Sequence, residues 1–282
     1  MQPLPRLTGA MRRGHHSRVM RLHTIEAGAG PGLVILHGLL GSARNWAGIV
    51  NALAASRHVV AVDLPNHGAS PWTEAMDYPF LAREAAAVIE RVGAPAAVLG
   101  HSMGGKAAMV LALTRPDLVE RLVVVDIAPV RYTHTFAPYI RAMRAVRLEG
   151  IGRRDEFDAM LAGHIPDPRV RAFLLQNLES GATGYRWRPN LAVLLAAMDD
   201  LLGFPDGGCY DGPVLFLAGA QSDYIRGEHE TVIRRLFPRA QVRQVAGAGH
   251  WVHADQPQAF AAAVGEFLHP LATEVGEGGA RP

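Results

Sequence analysis

VLGHSMGGKAAM, residues 98–109, decides the fold, because it places a serine between two glycines at the junction of an apolar run and a helix-forming segment. The motif GHSMG at 100–104 has the G-x-S-x-G pattern of a nucleophile elbow, a sharp turn that lifts Ser102 above a sheet. Such a turn requires small flanking residues. We expect the following helix to run through KAAMVLALTR, residues 106–115, and to stop near Pro116. The alternative is a glycine-rich turn with an incidental serine, since five-residue motifs also occur by chance.

Outward from the elbow, apolar runs of strand length alternate with helix-forming stretches, which is typical of a parallel sheet covered by helices. Runs that are apolar on both faces suit strands that are buried on both sides. The predicted strands are LVILHG (33–38), HVVAVDLP (58–65), AAVLG (96–100), RLVVVDIAP (121–129), PVLFLAGA (213–220) and AQVRQVAG (240–247).

One interval breaks this alternation. Residues 130–205 contain helix-like segments but no convincing strand, which predicts a helical cap inserted into the core. We therefore expect an α/β core built from 20–129 and 206–269. The arginine-rich start, 1–19, and the glycine-rich end, 270–282, are expected to be disordered.

The composition argues against several classes of protein. The chain has 282 residues, 49% of them hydrophobic and 19% charged, with a net charge of +2, so it can form a compact core. Its basic residues are scattered among acids, which argues against a nucleic-acid partner. No apolar run approaches the roughly 18 residues that a membrane-spanning helix needs. The single cysteine, Cys209, cannot form an internal disulfide, and we expect a cytoplasmic protein of undetermined oligomeric state.

A serine hydroxyl becomes a nucleophile only when a base removes its proton and an acid orients that base. His250 is the predicted base, because it lies in the glycine-bearing loop AGAGHWVHADQP after the last predicted strand. His253, three residues further on, is the competing candidate, and its alternative role is structural.

Two aspartates satisfy the chain order serine, acid, histidine. Asp126 ends the valine-rich run RLVVVDIAP, and Asp223 follows the next predicted strand. A carboxylate at the end of a valine run is costly to bury unless it is paired, which favours a partner for Asp126. Asp63 shows the same pattern and is expected only to organise a turn, so the pattern does not decide between the two candidates.

Charge that develops on a substrate carbonyl oxygen requires backbone N–H donors. Met103, directly after Ser102, is predicted to supply one donor, and Leu39, after the first predicted strand, the other. His37 and Gly38, just before Leu39, are predicted to contact the substrate. No H-E-x-x-H or comparable spacing indicates a metal site.

Six stretches together carry a resemblance: LHGLLGSARNW, VDLPNHGASP, VLGHSMGGKAAM, VVVDIAPV, RWRPN and GAGHWVHADQP. They resemble the α/β-hydrolase superfamily, and within it the YbfF-type esterases and their mitochondrial abhydrolase relatives. The resemblance implies an eight-stranded, mostly parallel sheet with helices on both faces and a small helical cap between strands six and seven. It also implies hydrolysis of carboxylic or thiol esters without a cofactor. In these relatives a serine, matching Ser222, takes the usual acid position after the seventh strand, and the aspartate after the sixth matches Asp126, so the resemblance favours Asp126 over Asp223.

We therefore expect a serine hydrolase that cleaves small-molecule esters of short to medium acyl chains through an acyl-enzyme on Ser102. An acyl-thioester hydrolase or an acyltransferase would use the same three side chains, and a small-molecule receptor with little turnover is an alternative of a different class. Lys106 is expected to have no chemical role. Cap residues that could line an acyl pocket, or only pack the cap, are Trp187, Met143, Met160, Leu174, Leu175 and Met198.

Overall fold

The computed structural model describes residues 19–150, 153–182 and 184–269. The two ends that the sequence predicts to be disordered, 1–19 and 270–282, lie outside these residues, apart from Val19.

Apolar, β-branched runs form the strands, as the alternation predicts. The strands are β1 (Thr24–Ala27), β2 (Gly32–Leu36), β3 (His58–Val62), β4 (Ala96–His101), β5 (Val119–Val125), β6 (Leu178–Gly181), β7 (Gly184–Trp187), β8 (Val214–Gly219) and β9 (Ala240–Val245). Seven of them form one sheet in the order β1-β3-β2-β4-β5-β8-β9. β1 is antiparallel to β3 and every other neighbouring pair is parallel.

Helices cover both faces of this sheet. They are α1 (Ala47–Leu53), α2 (Tyr78–Val92), α3 (Met103–Thr114), α4 (Ala137–Ala145), α5 (Arg154–Ala162), α6 (Pro168–Leu175), α7 (Leu191–Ala196), α8 (Met198–Leu202), α9 (Glu230–Leu236), α10 (Val252–Asp255) and α11 (Pro257–Leu268). Leu122 and Val124 of β5 face a core shared with α2, α3, α9 and the cap helices. Val123 and Val125 face the opposite core, with α1 and α11. All six predicted strands are confirmed. The central strands are buried on both faces because helices cover both sides of the sheet.

Two details differ from the expected fold. The sheet of the described residues has seven strands where eight were expected. The cap also contains an antiparallel hairpin, β6 and β7, which the sequence analysis missed. Each of its strands has four residues and little apolar alternation, and Tyr185 packs on Phe157 of α5 with ring centroids 4.9 Å apart.

The topology gathers the candidate residues at one edge. The carboxyl ends of parallel strands lie at the same edge of a sheet, where α/β proteins bind ligands. The loops after β2, β4, β5, β8 and β9 therefore converge there, and they carry Leu39, Ser102, Asp126, Ser222 and His250.

Candidate active site

The turn at Ser102 is as sharp as its motif requires. Ser102 has φ +52° and ψ −118°, in the left-handed region that strains a residue with a side chain. A β-carbon on Gly100 would lie 2.2 Å from the carbonyl oxygen of Gly104, and one on Gly104 would lie 2.4 Å from the carbonyl oxygens of Leu36 and His37. The two glycines therefore let α3 begin directly against the ends of β2 and β4.

Backbone hydrogen bonds hold the serine in this turn. The N–H of Ser102 donates to the carbonyl of Val125 at 3.0 Å, and its carbonyl accepts from the N–H of Lys106 at 3.0 Å. The predicted helix is confirmed, with α3 running from Met103 to Thr114. The first N–H groups of a helix have no intrahelical acceptor, and Met103 supplies the first of these in α3.

Asp126 lies at the carboxyl end of β5 and is fully buried. Its Oδ1 accepts a hydrogen bond from the N–H of Gly219 at 3.0 Å. Its Oδ2 accepts from Ser222 Oγ at 2.5 Å and from His250 Nδ1 at 2.8 Å. A buried carboxylate is costly unless it is paired and hydrogen-bonded, and these three donors meet that requirement.

This contact fixes the tautomer of His250. Because an ionised carboxylate only accepts hydrogen bonds, Nδ1 of His250 carries a proton and Nε2 keeps a lone pair in the neutral ring. The ring stacks on Tyr224, with centroids 3.9 Å and planes 16° apart. His101 Nε2 donates to the backbone carbonyl of His250 at 2.9 Å. The imidazole is thus oriented as a base.

Asp223, the second candidate acid, does not reach His250. It is exposed, and Arg226 Nη2 donates to its carboxylate at 2.8 Å. The hydrogen bond from Arg226 lowers the pKa of Asp223 below its ordinary value. Ser222, one residue earlier, takes the place beside Asp126. The structure therefore brings Asp126, and not Asp223, to the histidine.

The loop after β2 packs its backbone directly on the elbow. A β-carbon on Gly38 would lie 2.9 Å from Nδ1 of His101 and 3.2 Å from Cβ of Ser102, so a larger residue would force these side chains to shift. Leu40 has φ +60°, and its carbonyl accepts from Nδ2 of Asn177 at 2.8 Å. The backbone around Leu39 is therefore held between the elbow and the cap.

His37, predicted to contact the substrate, lines the cavity described below and also supports this loop. It is buried, its Nε2 accepts from the N–H of Leu64 at 2.9 Å, and its Nδ1 donates to the carbonyl of Gly38 at 2.8 Å. Burial lowers the pKa of His37, which keeps the ring neutral and this pattern intact. Since both ring nitrogens are occupied, the ring fixes the loop, and both His37 and Gly38 line the cavity described next.

Two adjoining cavities meet at the serine. The histidine cavity, of about 380 Å³, is lined by Gly38, Ser102, His101, His250, His253 and Trp251, among others. The tyrosine cavity, of about 440 Å³, is lined by Ser102, Tyr78, Tyr132, Tyr224, Lys106 and Met198, among others. Ser102, Leu39 and Phe136 line both. A group attached to the serine oxygen can therefore extend either way.

The predicted substrate contact Trp187 lies elsewhere. Its indole N–H donates to the carbonyl of Met143 at 2.9 Å, because the end of β7 turns the side chain towards α4. Trp187 lines neither cavity of the described residues, and Met198 is the one cap candidate that lines the tyrosine cavity. Met160 is exposed, and the candidates buried in the core are Met143, Leu174 and Leu175.

His253, the competing base, is buried against an aromatic ring. It stacks on Trp46 with centroids 4.0 Å and planes 12° apart. Burial lowers the pKa of His253 to about 3. It therefore stays neutral and structural, while His250 contacts the carboxylate.

No group of three or more metal-ligating side chains within 19–150, 153–182 and 184–269 is arranged to hold an ion. In the same residues, no helix combines the length and the apolar character needed to cross a bilayer.

The chain matches known proteins over most of its length. Residues 33–263 match the family model described as alpha/beta hydrolase family. The chain belongs to this family. It is 42% identical to sn-1-specific diacylglycerol lipase ABHD11 of Mus musculus, over 84% of this chain and 81% of that protein. It is 33% identical to Esterase YbfF of Escherichia coli (strain K12), over 84% of this chain and 92% of that protein.

A solved structure gives the same assignment. The protein described as a marine microorganism esterase superposes with a TM-score of 0.86 at 35% identity, over 88% of this chain and 100% of that chain. The predicted α/β-hydrolase fold is confirmed apart from the strand count, and the prediction of a hydrolase enzyme is confirmed by relatives named as esterases and lipases.

Several residues that support the site were missed by the sequence analysis. Tyr224 lies in the loop after β8, so its position at the carboxyl edge of the sheet was an available signal. Asn177 had no such signal, since it contacts Leu40 across 137 positions of sequence.

Proposed function

We propose that this hydrolase cleaves carboxylic esters of short to medium acyl chains through an acyl-enzyme on Ser102. The observation that carries the proposal is the 2.8 Å hydrogen bond from His250 to Asp126, beside a cavity that Ser102 also lines. Relatives named as an esterase and as a diacylglycerol lipase support ester substrates.

Acylation follows from the assigned tautomer. Nε2 of His250 accepts the hydroxyl proton of Ser102 as the serine oxygen bonds to the ester carbonyl carbon. The carbonyl π electrons move onto oxygen and form the tetrahedral oxyanion. When that intermediate collapses, the bond to the alcohol oxygen breaks and His250 returns its proton to the departing alcohol. The buried Asp126 carboxylate stabilises the imidazolium throughout.

Deacylation repeats these steps with water. His250 removes a proton from water, whose oxygen bonds to the acyl carbon to form a second tetrahedral oxyanion. As this intermediate collapses, the bond from the acyl carbon to the serine oxygen breaks and His250 returns the proton to Ser102. The free acid leaves and the serine is regenerated.

The oxyanion is stabilised by backbone donors that need no reorganisation. Met103 begins α3, and Leu39 lies in the loop that packs on the elbow, so both amides belong to rigid elements. Loss of one such donor typically costs about 3 to 4 kcal/mol of transition-state stabilisation.

The two cavities accept different parts of the substrate. The leaving alcohol receives its proton from His250, which lines the histidine cavity, so the alcohol occupies that side. The acyl chain then occupies the tyrosine cavity, where Ile127, Met198 and Leu201 supply apolar contacts.

The test is hydrolysis of p-nitrophenyl esters from acetyl to palmitoyl by the wild type, Ser102→Ala and His250→Ala. We expect activity to peak at short or medium chains and both variants to lose it. His164→Ala, an exposed cap histidine, is the matched control and retains activity. If no ester is hydrolysed, or if Ser102→Ala keeps full activity, the proposal is wrong and a ligand-binding role without turnover takes its place.

A further inference from the structure

Lys106 is a cation in an unusual place. It is the single lysine among the 282 residues, and only 2% of its surface is exposed. It lies in the first turn of α3, four residues after Ser102, and its N–H donates to the Ser102 carbonyl. Both line the tyrosine cavity.

The protein accepts only two of the three hydrogen bonds that this ammonium can donate. Its Nζ donates to the carbonyls of Leu202 and Gly203 at 2.8 and 2.6 Å, just after α8. A lysine ammonium has three N–H donors, so one is left over. The rings of Tyr78 and Tyr132 lie 5.6 and 5.0 Å from Nζ and attract it more weakly than a carboxylate would.

No counter-charge accompanies the cation. Within the described part of the chain, no carboxylate lies at ion-pair distance from Lys106. The nearest influential charge is positive, on Arg131, which itself pairs with Asp199. Burial, together with Arg131, lowers the pKa of Lys106 to about 7.

The other titratable groups in the cavity are neutral near pH 7. Burial lowers the pKa of His134 and raises the pKa of each tyrosine, so none of them supplies an anion. These groups are His134, Tyr78, Tyr132 and Tyr224. An unpaired buried ammonium is unfavourable, and an apolar side chain would avoid its desolvation.

We propose that the tyrosine cavity binds acyl groups whose far end carries a carboxylate, and that this carboxylate pairs with the ammonium of Lys106. The substrates would be half esters of short dicarboxylic acids. This inference rests on the proposed ester hydrolysis and names the acyl group for it.

The position of Lys106 on α3 limits the length of the acyl group that can reach its ammonium. Side chains in a helix lean towards its N-terminus, so Lys106 in the first turn of α3 leans towards the elbow that holds Ser102. An acyl chain from the Ser102 oxygen to the ammonium is therefore short, and the five-carbon glutaryl group is a fitting probe.

The first arm uses the wild-type protein and three ethyl esters. Ethyl hydrogen glutarate carries the carboxylate, ethyl 5-methylhexanoate replaces it with an isopropyl group of similar shape, and ethyl glutaramate replaces it with a neutral amide. At pH 6.5 we expect kcat/KM for the glutarate ester to exceed that for the methylhexanoate ester by about tenfold or more, because charge-assisted hydrogen bonds are strong. The amide ester should lie between them.

The second arm removes the cation. In Lys106→Met the ratio of the two kcat/KM values should fall to about one or below, since an unbranched apolar side chain leaves the substrate carboxylate unpaired. Arg144→Met, which removes an exposed cation from the cap, should keep the wild-type ratio. The ratio in the wild type should also decline above about pH 7, as Lys106 loses its charge.

The outcomes separate this inference from the proposed function. If the wild type hydrolyses ethyl 5-methylhexanoate as fast as ethyl hydrogen glutarate, the proposed carboxylate site is wrong and the proposed ester hydrolysis stands, whatever the variant does. If Lys106→Met lowers kcat/KM for all three esters equally, the lysine has a structural role and the inference is also overturned. If no ester is hydrolysed, both proposals fail.

Discussion

Replacing Asp126 by asparagine tests the assigned acid with almost no change in shape. The N–H of Gly219 faces Oδ1, so the asparagine oxygen must take that position and its NH₂ must take the position of Oδ2. That NH₂ then donates to Nδ1 of His250, which moves the ring proton to Nε2, where the base is needed. The same replacement in a serine triad lowers kcat by about 10⁴-fold through the wrong tautomer, and we expect a loss of about 10³ to 10⁴-fold here.

The assay is kcat/KM for p-nitrophenyl butyrate, with thermal melts to show that the variant is folded. Asp223→Asn is the matched control, because this exposed carboxylate pairs only with Arg226 and surface ion pairs contribute about 0–1 kcal/mol to stability. Its activity should change by less than about twofold. The reasoning is refuted if folded Asp126→Asn keeps more than roughly a tenth of the wild-type activity, or if Asp223→Asn loses as much as Asp126→Asn.

Three further predictions concern stability and support of the site. Burial holds the pKa of His253 at about 3, so as pH falls below about 6.5 the histidine is protonated in the unfolded chain before it is protonated in the folded one. The unfolding free energy measured with urea should therefore be lower at pH 5 than at pH 7. In His253→Phe the unfolding free energy should fall less between these two pH values. In Gly104→Ala the new β-carbon would lie 2.4 Å from two carbonyl oxygens, so this variant should lower the unfolding free energy by about 3 kcal/mol or more. The control Gly48→Ala has open space on α1 and should raise the unfolding free energy by about 0.5–1 kcal/mol. Equal effects of the two replacements would contradict the packing of the elbow. Asn177→Leu removes the donor to the Leu40 carbonyl and should lower kcat more than it raises KM, since we propose that the loop carries the oxyanion donor Leu39; an unchanged kcat would separate that loop from catalysis.

The positions of the core strands were predictable because they rest on local signals. Each core strand is a run of apolar, β-branched residues, and the elbow glycines are required by contacts of 2.2 to 2.4 Å that only a missing side chain allows. β1 and the cap hairpin were missed, since each of these strands has four residues and is half exposed or poor in apolar alternation.

The choice of acid could not be made from the local pattern of the residues. Asp126 and Asp223 both follow strands in the required chain order, and what separates them is a tertiary contact. Gly219 and Ser222 donate to Asp126 from a strand 93 and a loop 96 positions away, while Arg226 captures Asp223 locally. The resemblance to known esterases favoured Asp126 because these relatives keep the aspartate after the sixth strand and a serine after the seventh, which is the pair that meets in the structure.

The cap residues were the least predictable part of the site. Trp187 was chosen for its size, yet its indole bonds within the cap, and Lys106 was set aside although its side chain reaches the tyrosine cavity. How cap helices dock on a sheet depends on many side-chain contacts at once, and no spacing rule supplies them.

The most direct test of the account is covalent labelling of the serine. The wild type is treated with a fluorophosphonate and digested, and the modified peptide is identified by mass spectrometry. The account predicts one adduct per chain, on Ser102, with matching loss of esterase activity and no adduct in Ser102→Ala. An adduct on another residue, or full activity after complete labelling of Ser102, would contradict it.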